Sequence, residues 1–324
     1  MNAKTIFLVA LAVLFVPTFS FAEDFPTKPI TLICPVPPGG INDLLARAFA
    51  SFGEKYIGKP VVVLNKTGAT GAVGTLATAQ AKPDGYTICI GYSGQTQLII
   101  GEILANRKPS FNIDDFVVLG MMMKSSNILL VHYDSPWKTI QQAIEDIKNH
   151  PNTYSFSSGG IYNISHLPVE ILMEELNLKL RHVPFQGGGP AFNALIGGHV
   201  QLSAMFPGPS LSHTKSKQLR GLAQFGEKRA KFYEDIPTFA EIGHPKVVYS
   251  SWFGLVAPKG IPDPIVEKLR NLVKQVTNDP AFIKIIENAG EEVEYVDAET
   301  TKKAWHKEYD KLYKLLEKLE KGKK

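Results

Sequence analysis

The chain has 324 residues, 44% of them hydrophobic and 20% charged, with a formal net charge of +4. That length suits about two domains of roughly 100–200 residues, and the balance excludes disorder, a collagen-like repeat or a coiled coil as the main architecture. Two cysteines are too few for a cysteine-rich zinc site, and no His/Cys spacing fits one.

The N-terminus sets the address. Lys4 gives a positive start, Ile6 to Val16 form an unbroken apolar run, Pro17 breaks it, and Ser20-Phe21-Ala22 supplies small residues for cleavage. This pattern predicts a signal peptide over residues 1–22, cut after Ala22, so that the mature chain begins at Glu23. The run is short for a membrane span, and no later stretch reaches 18 uncharged apolar residues. Export permits a disulfide between Cys34 and Cys89, while free buried cysteines acting as small hydrophobes are the commoner situation in such apolar runs.

From residue 29 strands and helices alternate. PITLICPV reads as a strand, INDLLARAFASFGEKYI as a helix with Leu45, Ala48, Phe49 and Phe52 on one stripe, and VVVLN as a strand. A glycine-rich turn, TGATGAVG, leads into a helix through Gln80. Pro83-Asp84-Gly85 marks a turn, and YTICIGY follows as a strand. VLGMMMKSS and ILLVHY are strands, residues 139–148 a helix, TYSFSSGG a strand entering a glycine-rich turn, and 166–176 a helix. LRHVPFQGGG, a helix through Ile196, VQLSAMF and LRGLAQFG complete a second unit. SSWFGLVAPKG returns to strand, and residues 262–278, 280–289 and 298–321 read as helices. The alternation predicts an α/β protein with mostly parallel sheets and helices on both faces. Crossings between two units are expected near 123–127 and 225–247, and two crossings would allow hinged closure. The expected division is 23–124 plus 247–324 as one lobe and 125–246 as the other.

The basicity is local. Residues Lys302 to Lys324 contain nine Lys against four acids, so the charge describes the last helix and not a nucleic-acid surface. Trp305, Tyr309, Leu312, Leu316 and Leu319 form one apolar face of that helix, suited to packing on the body of the protein.

Two strand-to-helix loops carry the chemistry. The first is Pro37-Pro38-Gly39-Gly40-Ile41-Asn42-Asp43; the second runs from Ser157-Ser158-Gly159 to Asn163 and His166. Glycine lets backbone approach a ligand, and the first turn of a helix offers unpaired N–H groups with partial positive charge. Such loops can hold a carboxylate without Lys or Arg. The amides at Gly39, Gly40, Ser158 and Gly159 are the expected donors. Asn42 or Asp43 could equally be simple helix caps. Catalysis finds little support. Gly91-Tyr92-Ser93-Gly94 places its second glycine one residue early for a nucleophile elbow, and Ser158 with His166 has no third member. There is no P-loop lysine and no complete G-x-G-x-x-G, so no cofactor or metal is expected.

Seven segments in order resemble one family: CPVPPGGINDLLAR, VVVLNKTGATGAVG, AKPDGYTICIGYSG, YSFSSGG, HVPFQGGGPAFNALIGGHVQL, DIPTFAEIG and SSWFGLVAPKGIP. This is the Bug family, the substrate-binding receptors of tripartite tricarboxylate transporters, and the resemblance covers essentially the whole mature chain. It implies a two-lobed, type II periplasmic-binding-protein-like fold, each lobe a mixed or parallel sheet with flanking helices, and a monomeric, non-enzymatic periplasmic receptor. Such a receptor captures a small organic carboxylate and delivers it to membrane subunits. Matched motif by motif, it implies ligand contacts from Pro38, Gly39, Gly40, Asn42 and Asp43, from Thr70 and Gly71, and from Ser93 and Gly94 in the loop after the third strand. In the second lobe it implies Ser157, Ser158, Gly159, Asn163 and His166. Bulky Tyr162 sits inside the second loop, which is about one residue longer than the family pattern. Met205-Phe206 stands where the family usually has Asp-Asn. That departure disfavours an acidic amino acid and favours a carboxylate with a less polar body, held near Tyr162 and Met205. A sensor subunit of the same fold and a secreted hydrolase are the alternatives.

Overall fold

The computed structural model describes residues 25–322, with side chains through residue 318. The expected signal peptide lies outside the described residues, and the side chain of Leu319 outside the described side chains.

The elements run β1 (Ile30–Cys34), α1 (Ile41–Ile57), β2 (Val61–Asn65), α2 (Ala72–Ala79), β3 (Thr87–Tyr92), α3 (Ser93–Leu104) and β4 (Phe116–Ser125). The chain continues with β5 (Ile128–His132), α4 (Ile140–Asn149), β6 (Ser155–Ser158), α5 (Leu167–Leu176), β7 (Arg181–Pro184), α6 (Gly188–Ile196), β8 (Leu202–Met205), α7 (Pro207–Lys215) and β9 (Leu219–Gln224). It ends with β10 (Ser251–Pro258), α8 (Asp263–Thr277), α9 (Pro280–Asn288), β11 (Val293–Val296) and α10 (Ala298–Gly322).

Two sheets result, in the orders β11-β4-β10-β3-β1-β2 and β7-β6-β8-β5-β9. Both are mixed, in keeping with the mixed or parallel sheets expected for each lobe. β1 pairs in parallel with β2 and β3, and β6 with β7 and β8. The strands on either side of a crossing break the pattern. β4, leaving the first sheet, and β10, returning to it, pair antiparallel, as do β5 and β9 in the second. A chain that leaves one sheet and comes back must supply these reversed strands.

The alternation of strand side chains also settles the cysteines. Ile33 sits opposite Cys89 in the β1–β3 register, so Cys34 points to the other face of the sheet. Cys34 packs with Phe49 and Phe253, Cys89 with Val118 and Trp305, and both are free and buried.

The basic terminal helix packs on the body. Trp305 is buried and its Nε1 donates to Thr96 Oγ1 at 2.7 Å. Leu312 and Leu316, further along α10, join Leu129, Phe156 and Phe225 around the second sheet, so this helix spans both cores.

Candidate ligand-binding site

The loops at the carboxyl ends of β1, β2, β3, β6, β7 and β8 meet between the sheets and line a cavity of about 200 Å³. Loop-to-loop contacts close part of it. Gly160 backs onto Thr70, and Gly187 onto Pro37, so closely that a Cβ at either glycine would sit 2.6 Å from Thr70 Oγ1 or 3.0 Å from Pro37. Both glycines also hold positive φ, +137° and +130°.

Among the described residues the lining contains no Lys, Arg, Asp, Glu or His. Helix termini surround it instead. The N-cap residues of α1, α2, α3, α6 and α7 are Gly40, Gly71, Tyr92, Gly187 and Phe206, and all five line the cavity. In none of these helices does the N-cap side chain accept an N–H bond among the described residues, although in α3 Gln95 Oε1 accepts the Tyr92 N–H at 3.4 Å. By contrast α4 and α9, away from the cavity, are capped by Thr139 and Asp279. A helix start leaves its first N–H groups without intrahelical partners and carries partial positive charge. Two of the five are already spent. Gly71 and Val73 donate back to Gly68 O, and Gly208 in α7 donates to Glu291 Oε1 at 2.7 Å. The starts of α1, α3 and α6 remain, at Gly40-Ile41-Asn42, Ser93-Gly94 and Gly188-Gly189.

Of the residues expected from sequence, Gly40, Asn42, Thr70, Gly71, Gly94, Gly159, Tyr162, Asn163 and Met205 do line the cavity. Others do not. Pro38 and Gly39 are exposed outside it. The Gly39 N–H is taken by Asp43 Oδ2 at 3.2 Å, and Asp43 also binds Arg47 and Asn65. Asp43 therefore pins the first loop from behind, and these bonds hold its carboxyl below the ordinary range despite burial. Ser93 is not in a loop: it opens α3, fully buried, and accepts the Trp252 N–H at 3.1 Å.

In the second lobe Ser157 bonds Ala191 O and Ser203 within the core. Ser158 is tied to Gly160 O and, at 2.6 Å, to His182 Nε2. Its hydroxyl pairs with His182, not with His166, and lies off the cavity. The expected amide donor at Gly159 is spent on Ser165 Oγ at 3.0 Å. His166 acts at one remove. Its Nδ1 accepts the Tyr162 N–H at 2.8 Å, which leaves Nε2, 2.9 Å from Glu170 Oε1, as the protonated nitrogen. This holds Tyr162 at φ 55° against the cavity. Asn163 uses its Oδ1 on Ser165 and His166, so its amide nitrogen is the end left for a ligand.

The reading from sequence missed a whole wall. Gln186, Gly187 and Gly188, between β7 and α6, line the cavity. The signal was available, since this loop repeats the strand, glycine-rich turn, helix layout of the other two. It also missed Gln97, buried in α3. Gln97 Oε1 and Asn42 Oδ1 are lining acceptors that receive no hydrogen bond among the described residues. The rest of the wall is apolar: Leu98, Ile161, Ile164, Ala204 and Phe206. Phe206 is itself fixed by an edge-to-face contact with Phe253 at 5.3 Å.

The sequence profile of the tripartite tricarboxylate transporter family receptor, TctC, matches residues 45–321. The chain belongs to this family. It is 31% identical to Protein BugT of Bordetella pertussis over 263 residues, which covers 81% of this chain and 80% of BugT. The structure of the periplasmic binding protein BugD superposes with a TM-score of 0.85 at 28% identity, over 91% of this chain and 98% of BugD. The structure of R. palustris Rpa4515 with adipate shares the fold at 24% identity, with a TM-score of 0.84 over 91% of this chain and 98% of that one. These proteins are solute-binding receptors rather than enzymes, and the chain is a two-lobed solute-binding protein of the TctC type.

Proposed function

We propose that this receptor captures a small organic carboxylate in the cavity between its sheets and delivers it, in the periplasm, to the membrane subunits of a tripartite transporter. One observation carries the reading. A partly open pocket whose described lining has no charged side chain is ringed by helix starts, three of which have N–H groups left for an anion. Where protein shields the pocket from water, partial charges act through a lower effective dielectric, which strengthens their hold on an anion.

The cavity, at about 200 Å³, is smaller than the roughly 300–1,000 Å³ of drug-sized sites. It lacks an acid to pair with an ammonium group, and Met205, Phe206, Tyr162 and Ile164 form apolar walls. A carboxylate with a mainly apolar body fits better than an acidic amino acid. The two glycine contacts that seal the loops support closure of the lobes around the ligand, hinged where β4 passes to β5 and β9 to β10.

A thermal-shift screen with adipate, malate, citrate, benzoate and glutamate, and with adipamide as the uncharged control, tests this. At least one of the first four acids should raise the melting temperature in proportion to log concentration, and adipamide should not. Stabilisation by adipamide equal to that by adipate, or none by any acid, would overturn the reading.

A further inference from the structure

Gln97 is a lining side chain whose orientation is set by a hydrogen bond from outside the cavity. It lies in the second turn of α3 and is 2% exposed. Its Nε2 is placed against the Tyr249 hydroxyl, its Oε1 is buried with no hydrogen-bond partner among the described residues, and the residue lines the cavity. Tyr249 stands in the segment returning from β9 to β10, with its N–H on Phe225 O, so the pair joins the two halves of the molecule.

The two ends of a glutamine amide are exchangeable in the same volume, and the hydrogen-bond network decides between them. If the nitrogen faces Tyr249, a carbonyl oxygen is buried unsatisfied, which costs free energy. If the oxygen faces Tyr249 and an anion is bound, every group finds a partner. Ser251 Oγ, 3.5 Å from the Tyr249 oxygen, donates to it. Tyr249 O–H then donates to Gln97 Oε1, and Gln97 Nε2 presents its N–H groups to the cavity. Burial pushes the Tyr249 hydroxyl far above its ordinary pKa, so it keeps the proton this relay needs. Successive donors aligned toward an anion polarise and strengthen one another.

We infer that Gln97 is a ligand-binding residue that donates Nε2–H to the bound carboxylate, and that Tyr249, on the segment linking the two sheets, is the positioning residue that turns its amide. The inference rests on the carboxylate reading above. It makes α3 the source of a side-chain donor as well as a helix start, and it ties ligand contact to the hinge.

The test is titration calorimetry with whichever of adipate, malate, citrate and benzoate binds wild type most tightly. Gln97→Met and Tyr249→Phe should each weaken binding by roughly 10- to 100-fold, the worth of one hydrogen bond to a charged group. Gln97→Glu can donate only when protonated. It should bind at pH 7.5 with uptake of about one proton, read from buffers of different ionisation enthalpy, or lose binding altogether, whereas wild type takes up none. A purely structural role would not produce proton uptake. Wild-type affinity in Gln97→Met, in Gln97→Glu without proton uptake, or in Tyr249→Phe, which removes a single hydroxyl and spares the fold, would overturn the inference. Failure of wild type to bind any of the four acids would instead overturn the carboxylate reading.

Discussion

Closure of the cavity depends on Gly160 having no side chain. An alanine Cβ there would lie 2.6 Å from Thr70 Oγ1, 2.8 Å from its Cγ2 and 3.3 Å from its Cβ. Ordinary contact begins at 3.4 Å, so the loops must part by about 0.8 Å. Rotating Thr70 does not relieve this, because both branches of its side chain stand in the way. Its backbone is held at φ 58° in a short 3₁₀ turn. Gly160→Ala also strains its own φ of +137°, but that strain is present in open and closed forms and lowers stability rather than affinity. The overpacking exists only when the loops meet. At about 1–3 kcal/mol for one added methyl in a packed contact, affinity should fall roughly 5- to 150-fold. Thr70→Ala removes Oγ1 and Cγ2, so the double variant should recover most of the loss even if Thr70 itself touches ligand. A double-mutant cycle by calorimetry isolates this coupling. Wild-type affinity in Gly160→Ala, or strict additivity in the cycle, would refute closure through this contact.

Glu291 is 2% exposed and burial pushes its carboxyl up from 4.5 to about 7, although Ser125 and Gly208 donate to it. A folded-state pKa above the unfolded value means that the folded chain holds the proton longer, so stability should fall as pH rises from 4.5 to 7, by about 3 kcal/mol. Glu291→Gln should match wild type in melting temperature at pH 4.5 and exceed it at pH 8; a constant difference would contradict this. The thiols of Cys34 and Cys89 are pushed up to about 11 and about 12 by burial. Neither should react with a thiol reagent until the protein is denatured. Trp305→Ala should cost about 3–5 kcal/mol in chemical denaturation, because the ring is buried and its N–H bonds Thr96. Arg47→Ala should leave ligand affinity within about threefold, since the guanidinium serves Asp43 and Asn65 behind the loop and not the cavity; surface pairs of this kind contribute about 0–1 kcal/mol to the fold.

The strands except β11, which the sequence reading did not place, and most helices were legible because their apolar residues recur with the period of the element. Helix α3 was not. SGQTQLIIGEIL begins with five residues that are buried although four are polar, held by bonds such as Trp305 to Thr96 and Gln97 to Tyr249. Burial by hydrogen bonding leaves no hydrophobic stripe, so Ser93-Gly94 looked like a loop. Helix α7 was hidden by Pro207-Gly208-Pro209, which reads as a turn, although proline in the first turn suits a helix start. At the site, sequence pointed correctly to strand-to-helix glycine loops with no cation. It could not separate donors facing the ligand from donors spent on a neighbour. Gly39 and Gly159 lose their N–H groups to Asp43 and Ser165, partners four and six residues away. Gly187-Gly188 keeps the same pattern and lines the cavity.

The central claim is that an anion is held where no charged side chain exists. The affinity ratio of adipate to adipamide, measured by calorimetry on the wild-type protein at fixed ionic strength, tests it most directly. Should another acid of the panel bind more tightly, that acid and its own amide are the pair to compare. The account predicts a preference of at least about 100-fold for the acid, the worth of two charge-assisted hydrogen bonds at roughly 1.5–3 kcal/mol each. Equal affinity for acid and amide would contradict it.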